Sequence, residues 1–115
     1  MIDPNNLREI LFNLSTNIII PSFGNLKKNQ ISYKGGKDIV TDIDISVEDK
    51  LSNILPKLLK NSNFIGEETY SKNSKIVNHY LSEEYCWTVD PIDGTSNFAN
   101  SKETFAVMIA LTKNT

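Results

Sequence analysis

Hydrophobic positions along the chain fall into two helical runs and then into shorter strand-like ones. Leu7, Ile10, Leu11, Leu14 and Ile18 recur at helical spacing and give a first helix one apolar face. Asp3-Pro4 reads as its start, a capping acid followed by a proline at the first helical position. Pro21 should kink or end that helix, because it lacks an N–H and its ring clashes with the preceding turn. A second apolar face, Val47, Leu51, Ile54, Leu55 and Leu58, predicts another helix capped by Thr41 or Asp42, with a break or kink around Pro56. Between the two lies "QISYKGGKDIVTDID", whose Gly35-Gly36 pair is a flexible turn between short runs able to form a hairpin.

The rest of the chain reads in shorter pieces. "NFIGEET" is a short buried strand ending in Gly66, with Glu67 and Glu68 at its exit. "SKIVNHYLSEEY" predicts a short surface helix, and "CWTV" a second short strand that again ends in acid. Thr95 opens a further helix, and the β-branched apolar run "TFAVMIALT" fits a buried strand. Alternating helices and strands imply a layered α/β fold, in which sites are usually built at strand ends and helix starts.

Composition narrows the function classes. At 115 residues the chain is at most one ordinary domain, and 39% hydrophobic with 23% charged residues is the balance of a folded protein. A formal charge of −2, from 12 basic and 14 acidic residues, argues against a nucleic-acid footprint. The longest apolar runs are too short to span a bilayer, and the opening residues carry no secretion-signal pattern. One cysteine cannot form an internal disulfide, which suits a reducing cytoplasm, the expected location.

The acids are the informative residues. Asp38, Asp42 and Asp44 cluster near one helix start, Glu67 and Glu68 follow one strand, and Asp90 and Asp93 flank Pro91 after another. Two carboxylates so close repel unless a proton or a cation sits between them. Carboxylates converging from separate segments are the oxygen ligand set of a hard divalent cation such as Mg²⁺, which also takes substrate phosphate. With one histidine and one thiol, a zinc site of nitrogen and sulfur ligands is not available. Pro91 biases Asp90 toward an extended conformation, so that Asp90, the Ile92 carbonyl and Asp93 could share one side of a tight turn. Gly94 permits close backbone approach, and the N–H groups at the helix start are phosphate donors. Each residue also has a plainer reading: Asp90 and Asp93 as turn and cap residues, Glu67 and Glu68 as a solvated acidic turn, Asp44 as a first-turn acid, and Lys34 as an exposed lysine.

The block "WTVDPIDGTSNF" resembles the signature of the inositol monophosphatase family, Mg²⁺-dependent, lithium-sensitive phosphatases, and "KGGKDIVTDID" and "FIGEET" agree in order and spacing. The resemblance covers nearly all of the chain but only the N-terminal half of a family member. It implies the first part of an alternating α-β-α-β-α fold, with two long helices packed on a mainly antiparallel sheet. By position it implies Glu67, Asp90, the Ile92 carbonyl and Asp93 as metal ligands, with Glu67 also serving catalysis. Gly94 and Thr95 would donate N–H groups to the phosphate, and Asp44 and Thr95 would polarise the attacking water. Lys34 would sit on a loop closing over the site. The implied reaction is hydrolysis of a small sugar-alcohol phosphate, such as inositol monophosphate, by a metal-activated water without a phosphoenzyme.

Some features depart from the family pattern. Glu103 stands where a proline is common, and Met108 where a small polar residue is usual. The family's later "W-D-x-A-A-G" block, with a further ligand aspartate, does not occur in these residues. The expectation is therefore an N-terminal half, residues 1–115, that associates as a homodimer or through an exposed sheet edge. Sister activities on fructose bisphosphate, phosphoadenosine phosphate, histidinol phosphate or NADP remain open. So does a non-catalytic role, as a fragment or as a protein-binding regulator of transcription or ribosome maturation.

Overall fold

The structure, a computed structural model, describes residues 2–34 and 38–113. Asp3 caps α1, Pro4–Leu14, by accepting the Asn5 N–H at 2.9 Å. The helix continues through one widened π-helical turn, Ser15–Ile19, into the short α2, Ile20–Ser22, and the chain leaves it extended at Phe23. Pro21 is the physical cause at hand: an internal proline needs room for its ring and cannot donate back along the helix. The wider turn shifts the helical phase, so Ile19 is buried and Ile18 is only partly covered.

Strands β1, Ile31–Tyr33, and β2, Ile39–Thr41, pair antiparallel, with Ile31 opposite Thr41. The expected Gly35-Gly36 turn lies outside the described residues. Thr41 then caps α3, Asp42–Leu58, in a reciprocal box: its hydroxyl accepts the Ile43 and Asp44 N–H groups while Asp44 accepts the Thr41 N–H at 2.9 Å. Pro56 falls in the last turn, and the helix ends just beyond it at Leu59.

The main sheet has the order β3-β4-β5, where β3 is Asn63–Gly66, β4 is Tyr85–Asp93 and β5 is Ala106–Lys113. β3 runs parallel to β4, and β4 antiparallel to β5. One face of the sheet packs on α3: Val47, Leu51 and Leu55 close against Trp87, Val89 and Ile92, joined by Leu14, Ile19 and Phe98. Full burial of each such side chain contributes about 2 kcal/mol. Phe98 also meets Phe105 edge-on, with centroids 5.0 Å apart, and this anchors the turn that carries α5, Thr95–Ala99.

Two expectations change. The strand read as "CWTV" runs on through Asp93, with a break in register between Asp90 and Asp93 where Pro91 has no N–H to pair. The run expected as a buried strand is half-covered: Val107, Ile109 and Leu111 face the core, while Ala106, Met108 and Ala110 are exposed, Met108 by 53%. The helical layer lies on one side of the sheet, so only alternate residues are covered. The expected short surface helix forms over Ser74–Leu81, with 3₁₀ geometry and a cap from the Asn73 side chain. Among the described residues no helix is long and apolar enough to cross a membrane.

Candidate functional site

The three acidic segments do reach one place. A cleft of about 510 Å³ is lined by Lys34, Asp38, Glu67, Asp90, Asp93 and Thr95, together with Ile92 and Gly94. β3 delivers Glu67 as the first residue of α4, Glu67–Lys72, and β4 delivers Asp90 and Asp93 from the adjoining strand. The parallel pairing of Gly66 with Val89 is what places Glu67 beside Asp90.

The electrostatics of that pair are unfavourable as it stands. Burial raises the Glu67 pKa above its ordinary value, and the Asp90 charge raises it further, against the pull of Lys34. Asp90 is raised as well, first by burial and then by the charges of Asp93 and Asp44, although a hydrogen bond from Glu67 works the other way. Asp90 Oδ1 is buried and has no hydrogen-bond partner among the described residues. An acceptor in that position costs about 1–3 kcal/mol unless something donates to it or coordinates it.

Asp44 behaves differently. It is 1% exposed, on the first turn of α3. One of its oxygens accepts the Thr41 N–H and the Thr41 hydroxyl, and Oδ1 accepts the Thr95 hydroxyl at 2.8 Å. The Thr95 hydroxyl also lies 2.9 Å from the Ile92 carbonyl. It has one proton for two acceptors, so it can serve only one of them fully. Gly94 caps α5 at φ +82°, a left-handed conformation that glycine adopts without strain, and having no side chain it makes no side-chain cap bond to that first turn. A Cβ at Gly94 would stand 2.9 Å from the Thr104 carbonyl, so the backbone there has room only for glycine.

Lys34 is committed rather than free. Its ammonium donates to Glu68 at 2.6 Å and stands 3.8 Å from Glu67. Burial lowers its pKa, but these carboxylates outweigh that and leave it raised. Glu68, whose role the sequence left open, is thus the main partner of Lys34. The sequence reading did not single out Glu48, a buried carboxylate one turn beyond Asp44, nor Tyr70, which lines the cleft; of the first acidic cluster Asp38 lines the cleft, while Asp42 and Asp44 do not. Glu48 was legible in principle as an acid on the same helix face as Val47 and Leu51.

Among the described residues no three His, Cys, Asp or Glu side chains stand close enough together to enclose a metal ion. The donors that fit a hard cation are the Glu67 and Asp90 carboxylates, the latter with its vacant buried oxygen, and the Ile92 carbonyl between Asp90 and Asp93. Mg²⁺ needs only one or two carboxylates when waters and phosphate complete its shell. Softer metals are disfavoured, since no histidine or cysteine lines the cleft among the described residues.

Residues 6–115 match the sequence model of the inositol monophosphatase family. An inositol monophosphatase of Mesembryanthemum crystallinum is 41% identical over 87 residues, which are 76% of this chain and 31% of that protein. Among solved structures, the extragenic suppressor protein suhB from Bartonella henselae matches 95% of this chain and 40% of its own, with a TM-score of 0.75 and 28% identity. An IMPase/NADP phosphatase complexed with Mg²⁺ and phosphate shares the fold, with a TM-score of 0.68 at 20% identity over 95% of this chain and 40% of its own. The chain spans about a third of the length of the curated relatives it matches.

Proposed function

The chain belongs to the inositol monophosphatase family, and we propose that it forms the metal- and phosphate-binding part of a Mg²⁺-dependent phosphomonoesterase. Its substrate in this reading is a small sugar-alcohol phosphate such as inositol monophosphate. The observation that carries the reading is the buried, unpartnered Asp90 Oδ1, set against Glu67 at the floor of a cleft where both carboxylates hold protons more tightly than usual. That is the state of two acids that share a place meant for a cation.

In this proposal Glu67, Asp90, the Ile92 carbonyl and Asp93 hold the metal. Bound Mg²⁺ supplies Lewis acidity and a lowered pKa for water. The chain's own residues do the rest. Asp44 accepts a hydrogen bond from the Thr95 hydroxyl, which leaves that oxygen able to accept one from a water; as the water gives up its proton to Thr95, the Thr95 proton would pass to Asp44. The Gly94 and Thr95 N–H groups, at the start of α5 where both residues line the cleft, would donate to phosphoryl oxygens. Lys34, paired with Glu68 and near Glu67, limits the negative charge that an incoming phosphate meets.

The test is phosphate release from a panel that contains inositol monophosphate, fructose bisphosphate and NADP, with and without Mg²⁺. The reading expects release that requires Mg²⁺ and is lost in Asp90→Asn; turnover by that variant at the parent rate would refute it.

A second reading is a non-catalytic binding module. It is favoured by the outer face of β5, where Ala106, Met108 and Ala110 are exposed, and by the position of β5 at the end of the described sheet. Self-association through that edge is its simplest form. Size-exclusion chromatography with light scattering checks it: a monomer at all concentrations speaks against it.

A further inference from the structure

Glu48 makes a set of contacts that the phosphatase reading does not use. It is 5% exposed, on α3, and reaches across to the junction of β3 and α4. Its Oε1 accepts the Glu68 N–H at 2.8 Å, and its Oε2 accepts the Thr69 N–H at 2.8 Å and the Thr69 hydroxyl at 2.6 Å. These are first-turn N–H groups of α4, which a helix normally offers to the side chain of its own capping residue. Here the capping residue is Gly66, with no side chain to accept them. The glycine is required for the same reason: a Cβ at Gly66 would lie 2.7 Å from Glu48 Cγ and closer still to the carboxylate.

We propose that Glu48 is a positioning residue, a cap supplied from a neighbouring helix that fixes the first turn of α4 and so aims Glu67 at Asp90. The inference rests on the metal-site reading above. Glu67 itself is half-exposed, with its side chain 50% accessible, and packing alone leaves it free to swing. What holds its backbone are the two N–H groups that follow it, both on Glu48. Both Glu48 oxygens accept hydrogen bonds from protein donors, and Glu48 is not among the described residues that line the cleft. Its effect on the metal runs through orientation, as second-layer partners act in other metal sites.

The test compares the wild-type chain with Glu48→Gln and Thr69→Val by Mg²⁺ calorimetry, amide hydrogen exchange and the near-ultraviolet circular dichroism of buried Trp87. Glutamine keeps the shape but presents an NH₂ to one of the two N–H groups. The expected result is faster exchange at Glu68 or Thr69, an unchanged Trp87 signal and Mg²⁺ affinity weaker by about tenfold. Thr69→Val removes only the hydroxyl contact and should weaken affinity about two- to threefold; it decides the matter if Glu48→Gln does not fold. Unchanged affinity in a folded variant overturns the role of Glu48. If wild type shows no heat with millimolar Mg²⁺, the metal reading itself fails. Unaltered exchange at Glu68 and Thr69 in Glu48→Gln refutes the cap alone.

Discussion

Asp44 and Glu48 sit one turn apart on α3, nearly inaccessible, and every carboxylate oxygen they own receives a proton from a neighbouring N–H or hydroxyl. Glu67 and Asp90 face each other at the cleft, hold protons above their ordinary range and leave one buried oxygen without a donor. The residue types are the same and the two pairs are neighbours. The difference is what surrounds them. The first pair works inside the protein: it caps helix starts and straps α3 to α5 and α4. The second pair is only partly satisfied by protein donors among the described residues, which is the condition for binding something positive.

The sharpest way to break the comparison is to remove a member of the satisfied pair. Asp44→Ala strips the Thr41 box and the Thr95 contact together and should cost about 3 kcal/mol. The melting temperature would then fall by more than about 10 °C. A change of only a degree or two would mean that Asp44 is not the internal brace described.

Asp90→Asn should do the reverse in the metal-free chain. Its amide can donate to Glu67, so the melt rises modestly, while Mg²⁺ affinity measured by calorimetry falls by about 100-fold, or 2–3 kcal/mol. A variant less stable than the parent without metal would place Asp90 among the internally satisfied acids.

The dependence on pH follows from the same pair. Folded values raised above the ordinary ones mean that the folded chain holds these protons more tightly. Their contribution to stability is therefore present below the ordinary carboxylate range and lost as pH rises through the raised values. The melting temperature of Asp90→Asn relative to wild type should accordingly be near parity in acid and higher at neutral pH. The gap should close when Mg²⁺ is added to wild type. A gap independent of pH contradicts the repulsion.

The smallest effect belongs to Lys34. Lys34→Met removes a cation that competes for Glu67 and Glu68, and should tighten Mg²⁺ about twofold, the scale of a partly exposed ion pair. Weaker binding would show that the lysine orders the site more than it competes with the metal.

How much of this could be read beforehand depends on whether the cause is local. The Asp3-Pro4 start, the cap at Thr41 (one of the two positions offered) and the strand-to-helix turn through Gly94 are decided by a few adjacent residues, and all three stand where the pattern allowed them. The cleft acids were legible because charge at the exit of an apolar strand is unusual chemistry. The half-covered state of β5 was not legible, since the pattern "FAVMIALT" does not say which side of a strand another layer will cover. The shift from Ile18 to Ile19 depends on one widened turn near Pro21. Glu48 shares the helix face of Val47 and Leu51, which marks it as covered, but its role is set by the β3–α4 junction, which comes twenty residues later and lies against it.

The division between the two pairs can be observed directly with Mn²⁺, a paramagnetic substitute for Mg²⁺ that broadens the amide resonances nearest to it. Titrated into the ¹⁵N-labelled chain, it should first erase the signals of Glu67, Asp90 and Ile92 through Thr95, while the Glu48 and Asp49 signals persist to higher metal. Broadening that begins instead on the outer face of α3, around Asp42 and Asp49, or that is uniform over all acidic residues, would contradict the account.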